Sequence, residues 1–219
     1  MAKVRGTSGR RQFDGVTVID HPLVQHNLTL LRDERTDPQE FRRILRELAA
    51  LMVYEATRSF GIESVKVKTP LAQARGFRLK REVVIVPVLR AGLGMLNAIL
   101  DLLPHARVGF IGLKREETTM EASFYHKSLP ADLSELEVVL VDPMLATGGS
   151  AVAAMDLLAE LNVRRVRMVN VVAAPEGIQR LKRSYPQLPI FTAAVDPGLN
   201  EKAYIVPGLG DAGDRLFGV

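Results

Sequence analysis

Two spacings alternate along the middle of this chain. Runs rich in β-branched and apolar residues, at 83–89, 108–113, 138–141, 166–172 and 190–194, are separated by stretches of helical period at 93–103, 150–161 and 176–184. The runs are apolar at successive positions, as in Val83-Val84-Ile85-Val86, so each strand is expected to be covered on both faces. This order predicts an α/β fold: a mainly parallel sheet flanked by helices, with ligands beyond the carboxyl ends of the strands. Upstream, Asp37-Pro38-Gln39-Glu40 offers a capping side chain, a proline suited to the first helical position and a glutamate at the third. Phe41, Ile44, Leu45, Leu48, Leu51 and Met52 then form one apolar face of an N-terminal helix. Residues 1–15, with Gly6, Thr7, Ser8 and Gly9, read as a mobile arm, and 16–219 as one domain without internal repeat or linker.

Composition narrows the class. With 219 residues, 47% of them hydrophobic, the chain can build one substantial core but not two comfortable ones. There is no cysteine, so disulfides and thiolate metal sites are excluded. No apolar run reaches the roughly 18 residues of a membrane span, and the N-terminus is polar and basic, so a cytoplasmic protein without membrane attachment is expected. The net charge of +4 is matched by Lys3, Arg5, Arg10 and Arg11 alone, and does not demand nucleic acid. His21, His26, His105 and His126 lack metal-ligand spacing, and no resident metal site is expected.

The densest chemistry follows 138–141, where the strand enters Asp142-Pro143-Met144-Leu145-Ala146-Thr147-Gly148-Gly149-Ser150 and an amphipathic helix through Met155, Leu158 and Leu161. Two hydroxyls and two glycines at a helix N-terminus suit a phosphate. No lysine follows the glycines, so this is not a nucleoside triphosphate P-loop. Asp142 is better employed accepting hydrogen bonds from ribose hydroxyls, which makes the ligand a sugar phosphate. A plain turn with a helix cap is the competing reading of the same residues.

The stretch 139–151 resembles the loop of type I phosphoribosyltransferases that binds 5-phosphoribosyl 1-diphosphate (PRPP). Its wording, with Pro143 where most relatives have a second acid, is similar to that of the uracil phosphoribosyltransferases. The resemblance extends to Leu89-Arg90-Ala91-Gly92-Leu93-Gly94-Met95, similar to that family's pyrophosphate loop, and covers the chain from about residue 21 to 218. It implies transfer of phosphoribose from PRPP to uracil, giving UMP and pyrophosphate in pyrimidine salvage. It assigns Arg90, Arg115 and residues Asp142, Pro143, Met144, Leu145, Ala146, Thr147, Gly148, Gly149 and Ser150 to PRPP, with Mg²⁺ carried on the diphosphate. Lys114-Arg115-Glu116-Glu117-Thr118-Thr119 opens a polar stretch reaching Pro130, which the resemblance makes a mobile flap; the residues alone fit a solvated charge run equally well. The family usually has a proline where Ala122 stands, while Tyr125 and Lys127 keep its pattern.

Gly208-Leu209-Gly210-Asp211-Ala212-Gly213 satisfies G-x-G-x-x-G, but too little chain follows for the helix and strand of a dinucleotide fold. The segment instead exposes backbone donors and acceptors after a short strand at 204–206, and such edges can read uracil. Hydrogen-bonding sites of this kind reject a wrong partner by roughly 10⁴-fold or more. By resemblance Ile205, Gly210 and Ala212 meet the base and Asp211 lies between base and ribose. Asp211, Arg115 and Asp142 are the expected catalytic groups. Ala173-Ala174-Pro175-Glu176-Gly177 and Gly198-Leu199-Asn200-Glu201 are given supporting roles. The family forms homodimers and larger homo-oligomers, and GTP is an effector in part of it. Pyrimidine attenuator proteins resemble phosphoribosyltransferases yet bind RNA; such a regulator is the competing function.

Overall fold

The computed structural model describes residues 13–115 and 122–219. Its centre is a nine-stranded sheet among the described residues. In chain order the strands of that sheet and its neighbours are β1 (Val16–Val18), the hairpin β2 (Ile62–Lys68) and β3 (Gln73–Leu79), β4 (Val83–Leu89), β5 (Arg107–Val108), β6 (Phe110–Arg115), β7 (Ala122–Ser128), β8 (Glu137–Val141), β9 (Met144–Leu145), β10 (Val166–Ala173), β11 (Ile190–Val195), β12 (Gly198–Leu199) and β13 (Ile205–Val206). The helices are α1 (Pro22–Arg32), α2 (Pro38–Ala56), α3 (Leu93–Leu102), α4 (Gly149–Glu160), α5 (Pro175–Ser184) and α6 (Ala212–Phe217). The main path runs β1-β11-β10-β8-β4-β6-β7, parallel except where β7 turns back on β6.

Each central strand feeds two cores. Val83 and Ile85 of β4 and Val139 and Val141 of β8 face α1, α2, α3 and α6. Val84, Val86 and Val88 of β4 and Val138 and Leu140 of β8 face α4 and α5. Double coverage explains why these strands read as continuous apolar runs. The α2 start follows its sequence signature: the Asp37 carboxylate accepts the Glu40 N–H at 2.9 Å, and Pro38 opens the helix. Of its expected apolar face, Phe41, Ile44, Leu45, Leu48 and Met52 are fully buried within this chain and Leu51 is partly buried.

Some expectations need adjustment. The run 108–113 is interrupted at Gly109, giving β5 and β6. Phe13, Asp14 and Gly15, read as arm, lead into β1: the Val16 N–H donates to Phe13 C=O and the Ile190 N–H to Gly15 C=O, each at 3.1 Å. The rest of the arm, 1–12, and flap residues 116–121 lie outside the described residues. The described flap segments are the antiparallel pair β6 and β7, where the Tyr125 ring lies close over Gly112. Among the described residues no helix is long and apolar enough to cross a membrane.

Candidate active site

Sheet order decides where the site is built. From β4 the chain moves to β5 and β6 on one side, then returns to place β8, β10 and β11 on the other. The order therefore reverses between β4 and β8, and a crevice opens there at the carboxyl edge. Pro87 pairs with Val141 across that junction, so Arg90 and Asp142 leave adjacent strand ends. The β6 strand, whose last residue is Arg115, flanks β4 on its other side. Gly92 is required by this packing, because a Cβ there would lie 2.6 Å from Val88 O and 2.7 Å from Val141 O.

After β8 the chain stays beside β10: Pro143 C=O accepts the N–H groups of Val171 and Val172, and Leu145 C=O that of Ala174. Thr147 and Gly148, the latter at φ +78°, then turn it into α4. The first N–H groups of α4 have no partner within the helix and present a positive dipole end to an anion. Asp142 is half-buried, and its carboxylate accepts only the long Met144 N–H bond, 3.3 Å, among those found. Loss of solvent pushes its pKa up to about 7, against the smaller opposing effect of that bond.

A cavity of about 360 Å³ joins this loop to the C-terminal segment. Asp142, Met144, Leu145, Ala146, Thr147, Gly148, Gly149 and Ser150 line one wall, and Ile205 and Asp211 the other. Asp211 also caps α6, its carboxylate accepting the Asp214 N–H at 2.9 Å. Four further expected residues, Arg90, Pro143, Gly210 and Ala212, stand off the cavity wall. Pro143 and Ala212 are buried, and Gly210, at φ +76°, sits in the turn before Asp211. Arg90 is exposed beside α6, its guanidinium 6.0 Å from the Phe217 ring centre. The G-x-G-x-x-G segment runs from a two-residue strand into a six-residue helix, which is not a dinucleotide-binding unit.

The sequence model of the uracil phosphoribosyltransferase family matches residues 18–219. The chain is 50% identical over 207 residues to the uracil phosphoribosyltransferase of Thermoanaerobacter sp. strain X514, covering 94% of this chain and 99% of the other. That of Dictyoglomus turgidum is 53% identical over 204 residues, covering 93% and 99%. The chain belongs to the uracil phosphoribosyltransferase family. Its fold matches the solved AQ2163 protein of Aquifex aeolicus with a TM-score of 0.89, at 40% identity over 93% of this chain and 98% of that one. It also matches the adenine phosphoribosyltransferase of Trypanosoma brucei, TM-score 0.57 at 15% identity over 91% and 89%, which shows the shared type I phosphoribosyltransferase fold alone.

Within this uracil phosphoribosyltransferase fold several cavity and supporting residues carry no local sequence signal. Lys202 and Ala203 complete the wall beside Tyr204 and Ile205. Arg215 donates to the carbonyls of Leu31, Leu209 and Asp33, tying the C-terminal segment to the α1–α2 connection. Asp196, directly after β11, is buried against Arg32 of α1. The one hint was Asp196-Pro197 at the end of an apolar run, the same wording as Asp142-Pro143.

Proposed function

We propose that this chain transfers the phosphoribosyl group of PRPP to N1 of uracil, giving UMP and pyrophosphate. The observation that carries the reading is a cavity with a phosphate-type loop on one wall and the backbone-rich C-terminal segment on the other. In the reaction the bond from ribose C1 to the diphosphate oxygen breaks, the bond from C1 to uracil N1 forms, and the N1 proton leaves. Positioning and charge stabilisation are enough for such a displacement.

The N-terminal N–H groups of α4, with Thr147 and Ser150, seat the 5′-phosphate. Asp142 accepts from the ribose hydroxyls, and its carboxylate faces the positive charge that develops at C1. Arg90, directly after β4, and Arg115, the last residue of β6, hold the departing diphosphate. The described residues contain no cluster of three His, Cys, Asp or Glu suited to a resident metal; Asp142 and Asp211 are the cavity carboxylates that a Mg²⁺ entering on PRPP would face. Bound there, Mg²⁺ would neutralise charge on the diphosphate. Ile205, Gly210 and Ala212 offer backbone groups to the base, and Asp211 steers it or takes the N1 proton.

UMP formation from labelled uracil and PRPP, with cytosine, orotate and hypoxanthine run in parallel, tests this. Turnover confined to uracil is expected; no turnover with any base in a folded protein that binds PRPP would overturn it. Asp211→Asn isolates the proton role, because Asn caps α6 as well as Asp does. A fall in kcat with unchanged PRPP binding is expected, and full turnover would remove Asp211 from the chemistry.

Homo-oligomerisation belongs to the same proposal. Among the described residues the β2–β3 hairpin pairs with no other strand and exposes Ile62, Leu71, Phe77 and Leu79, while the N-terminal helices expose Leu23, Leu30 and Tyr54. Phe77→Lys is expected to lower the sedimentation coefficient, and an unchanged value would exclude the hairpin as the contact.

A further inference from the structure

We infer that Arg32 and Asp196 are positioning residues for the base: together they fix the uracil-reading loop in register with the phosphate loop. The inference rests on the reading that residues 205–212 receive the base. Arg32 donates through Nη2 to Asp196 Oδ1 at 2.6 Å and through Nη1 to Oδ2 at 2.8 Å. The same Oδ2 accepts the Gly208 N–H at 2.9 Å, and Nη1 also donates to Gly208 C=O at 2.8 Å. One peptide segment at Gly208 is therefore gripped by its donor and its acceptor in a closed ring of hydrogen bonds. Asp196 is buried and Arg32 nearly so, with side-chain exposures of 6% and 22%, so water competes weakly for either group.

The ring is anchored where the phosphate loop is anchored. The Asp196 N–H donates to Ala173 C=O, and the next residue's N–H, that of Ala174, donates to Leu145 C=O, both at 2.9 Å. A continuous path thus runs from the phosphate loop through the end of β10 to Asp196 and on to Gly208, which lies between Ile205 and Gly210. No atom of this pair lines the cavity, so its effect on the reaction is on the distance and angle between base N1 and ribose C1. Displacements of about 1 Å at such a junction cost up to 10²-fold in rate.

Asp196→Asn keeps the shape and opposes the Asn NH₂ to the Arg32 fork or to the Gly208 N–H. The uracil KM is expected to rise roughly tenfold and kcat to fall, with the PRPP KM changed by less than about twofold. Because breaking a buried ion pair also destabilises the fold, the double variant Arg32→Met/Asp196→Leu separates the two effects. It removes both buried charges together, so that only the Gly208 N–H and C=O lose their partners, and is expected to melt between Asp196→Asn and the wild type while keeping the raised uracil KM and a weakened preference for uracil over cytosine. A double variant with wild-type uracil KM and preference would overturn the proposal and leave the pair a stabilising contact only.

Gly210→Ala tells failure of this proposal from failure of the base-loop reading. It forces a side chain onto a left-handed residue of the loop without touching the pair. A raised uracil KM in Gly210→Ala beside a normal one in the double variant sinks the clamp alone. A normal uracil KM in Gly210→Ala sinks the base assignment and the clamp with it.

Discussion

Asp142 and Asp196 share a local sequence and stand in opposite surroundings. Each leaves the carboxyl end of a buried parallel strand, β8 or β11, and each precedes a proline. Asp142 faces a cavity with no cation bonded to it among the interactions found, and burial raises its pKa to about 7. Asp196 has both oxygens filled by the Arg32 fork and the Gly208 N–H. A carboxylate whose acceptor sites are filled by the protein orders the protein; one left facing a crevice is available to a ligand. The deciding residue for Asp196, Arg32, lies 164 positions away, so the shared strand-Asp-Pro wording does not show that this carboxylate is filled by the protein.

Replacing each aspartate by asparagine makes the contrast measurable. Asp142→Asn is expected to lower kcat/KM for PRPP by about 10²-fold, the loss of two charge-assisted hydrogen bonds at roughly 1.5 kcal/mol each. Its thermal stability should hold or rise, since the substitution removes a charge that is unfavourable to bury. Asp196→Asn is expected to cost stability instead, by up to about 3–5 kcal/mol as for other broken buried pairs. Denaturant melts of the two variants check this, and equal losses would dissolve the distinction between them.

Gly177→Ala tests the phosphate side from behind. Gly177 lies in the first turn of α5, and a Cβ there would sit 2.4 Å from Ala146 O and 2.8 Å from Leu145 O. Backbone must move, at about 1–3 kcal/mol, and it is the phosphate loop that moves. The PRPP KM is expected to rise about tenfold with the uracil KM less affected, which steady-state kinetics in each substrate would show. The reverse pattern would mean that the strain at Leu145 and Ala146 reaches the base loop and leaves the phosphate seat unmoved.

How much of this was legible in the sequence follows the same division. The strand and helix runs from 83 to 194 and the loop 142–150 are local: apolar runs, glycines and hydroxyls act on their neighbours, and the structure puts these elements within a residue or two of the expected places. The β2–β3 hairpin had no comparable signal. Most of it is exposed on both faces, so Ile62, Val65, Val67, Phe77 and Leu79 do not set up a readable burial period. The supports of the C-terminal segment were also hidden, because Arg32, Asp196 and Arg215 act through contacts between distant parts of the chain. The Tyr204–Ile205–Val206 strand and the rejection of the glycine fingerprint were readable because both rest on neighbouring residues.

Arg215→Lys probes the base side with a smaller step. Lysine keeps the charge but replaces the planar fork that serves the four carbonyls of Leu31, Asp33, Thr36 and Leu209 by a single ammonium. A stability loss of about 1–2 kcal/mol and a modest rise in the uracil KM are expected. A matching rise in the PRPP KM would count against separate support of the two walls.

The pH dependence of Asp142 tests the charge side of the contrast. Its pKa is raised from 3.8 to about 7 in the folded protein, so the native state keeps a proton that the unfolded chain gives up. The stability associated with the neutral carboxyl is fully present below about pH 4 and is lost as pH rises through about 7. Subtracting the melting temperature of Asp142→Asn from that of the wild type across this range should therefore give a falling curve. PRPP reverses the preference, because ribose hydroxyls donate to the ionised form. Its affinity is expected to weaken as pH drops below about 7, and binding at pH 6 should release a proton, seen as a dependence of the calorimetric heat on the buffer. A flat difference curve with no proton release would mean that Asp142 is already ionised in the free protein. The contrast with Asp196 would then lie in the available hydrogen-bond partners rather than in charge.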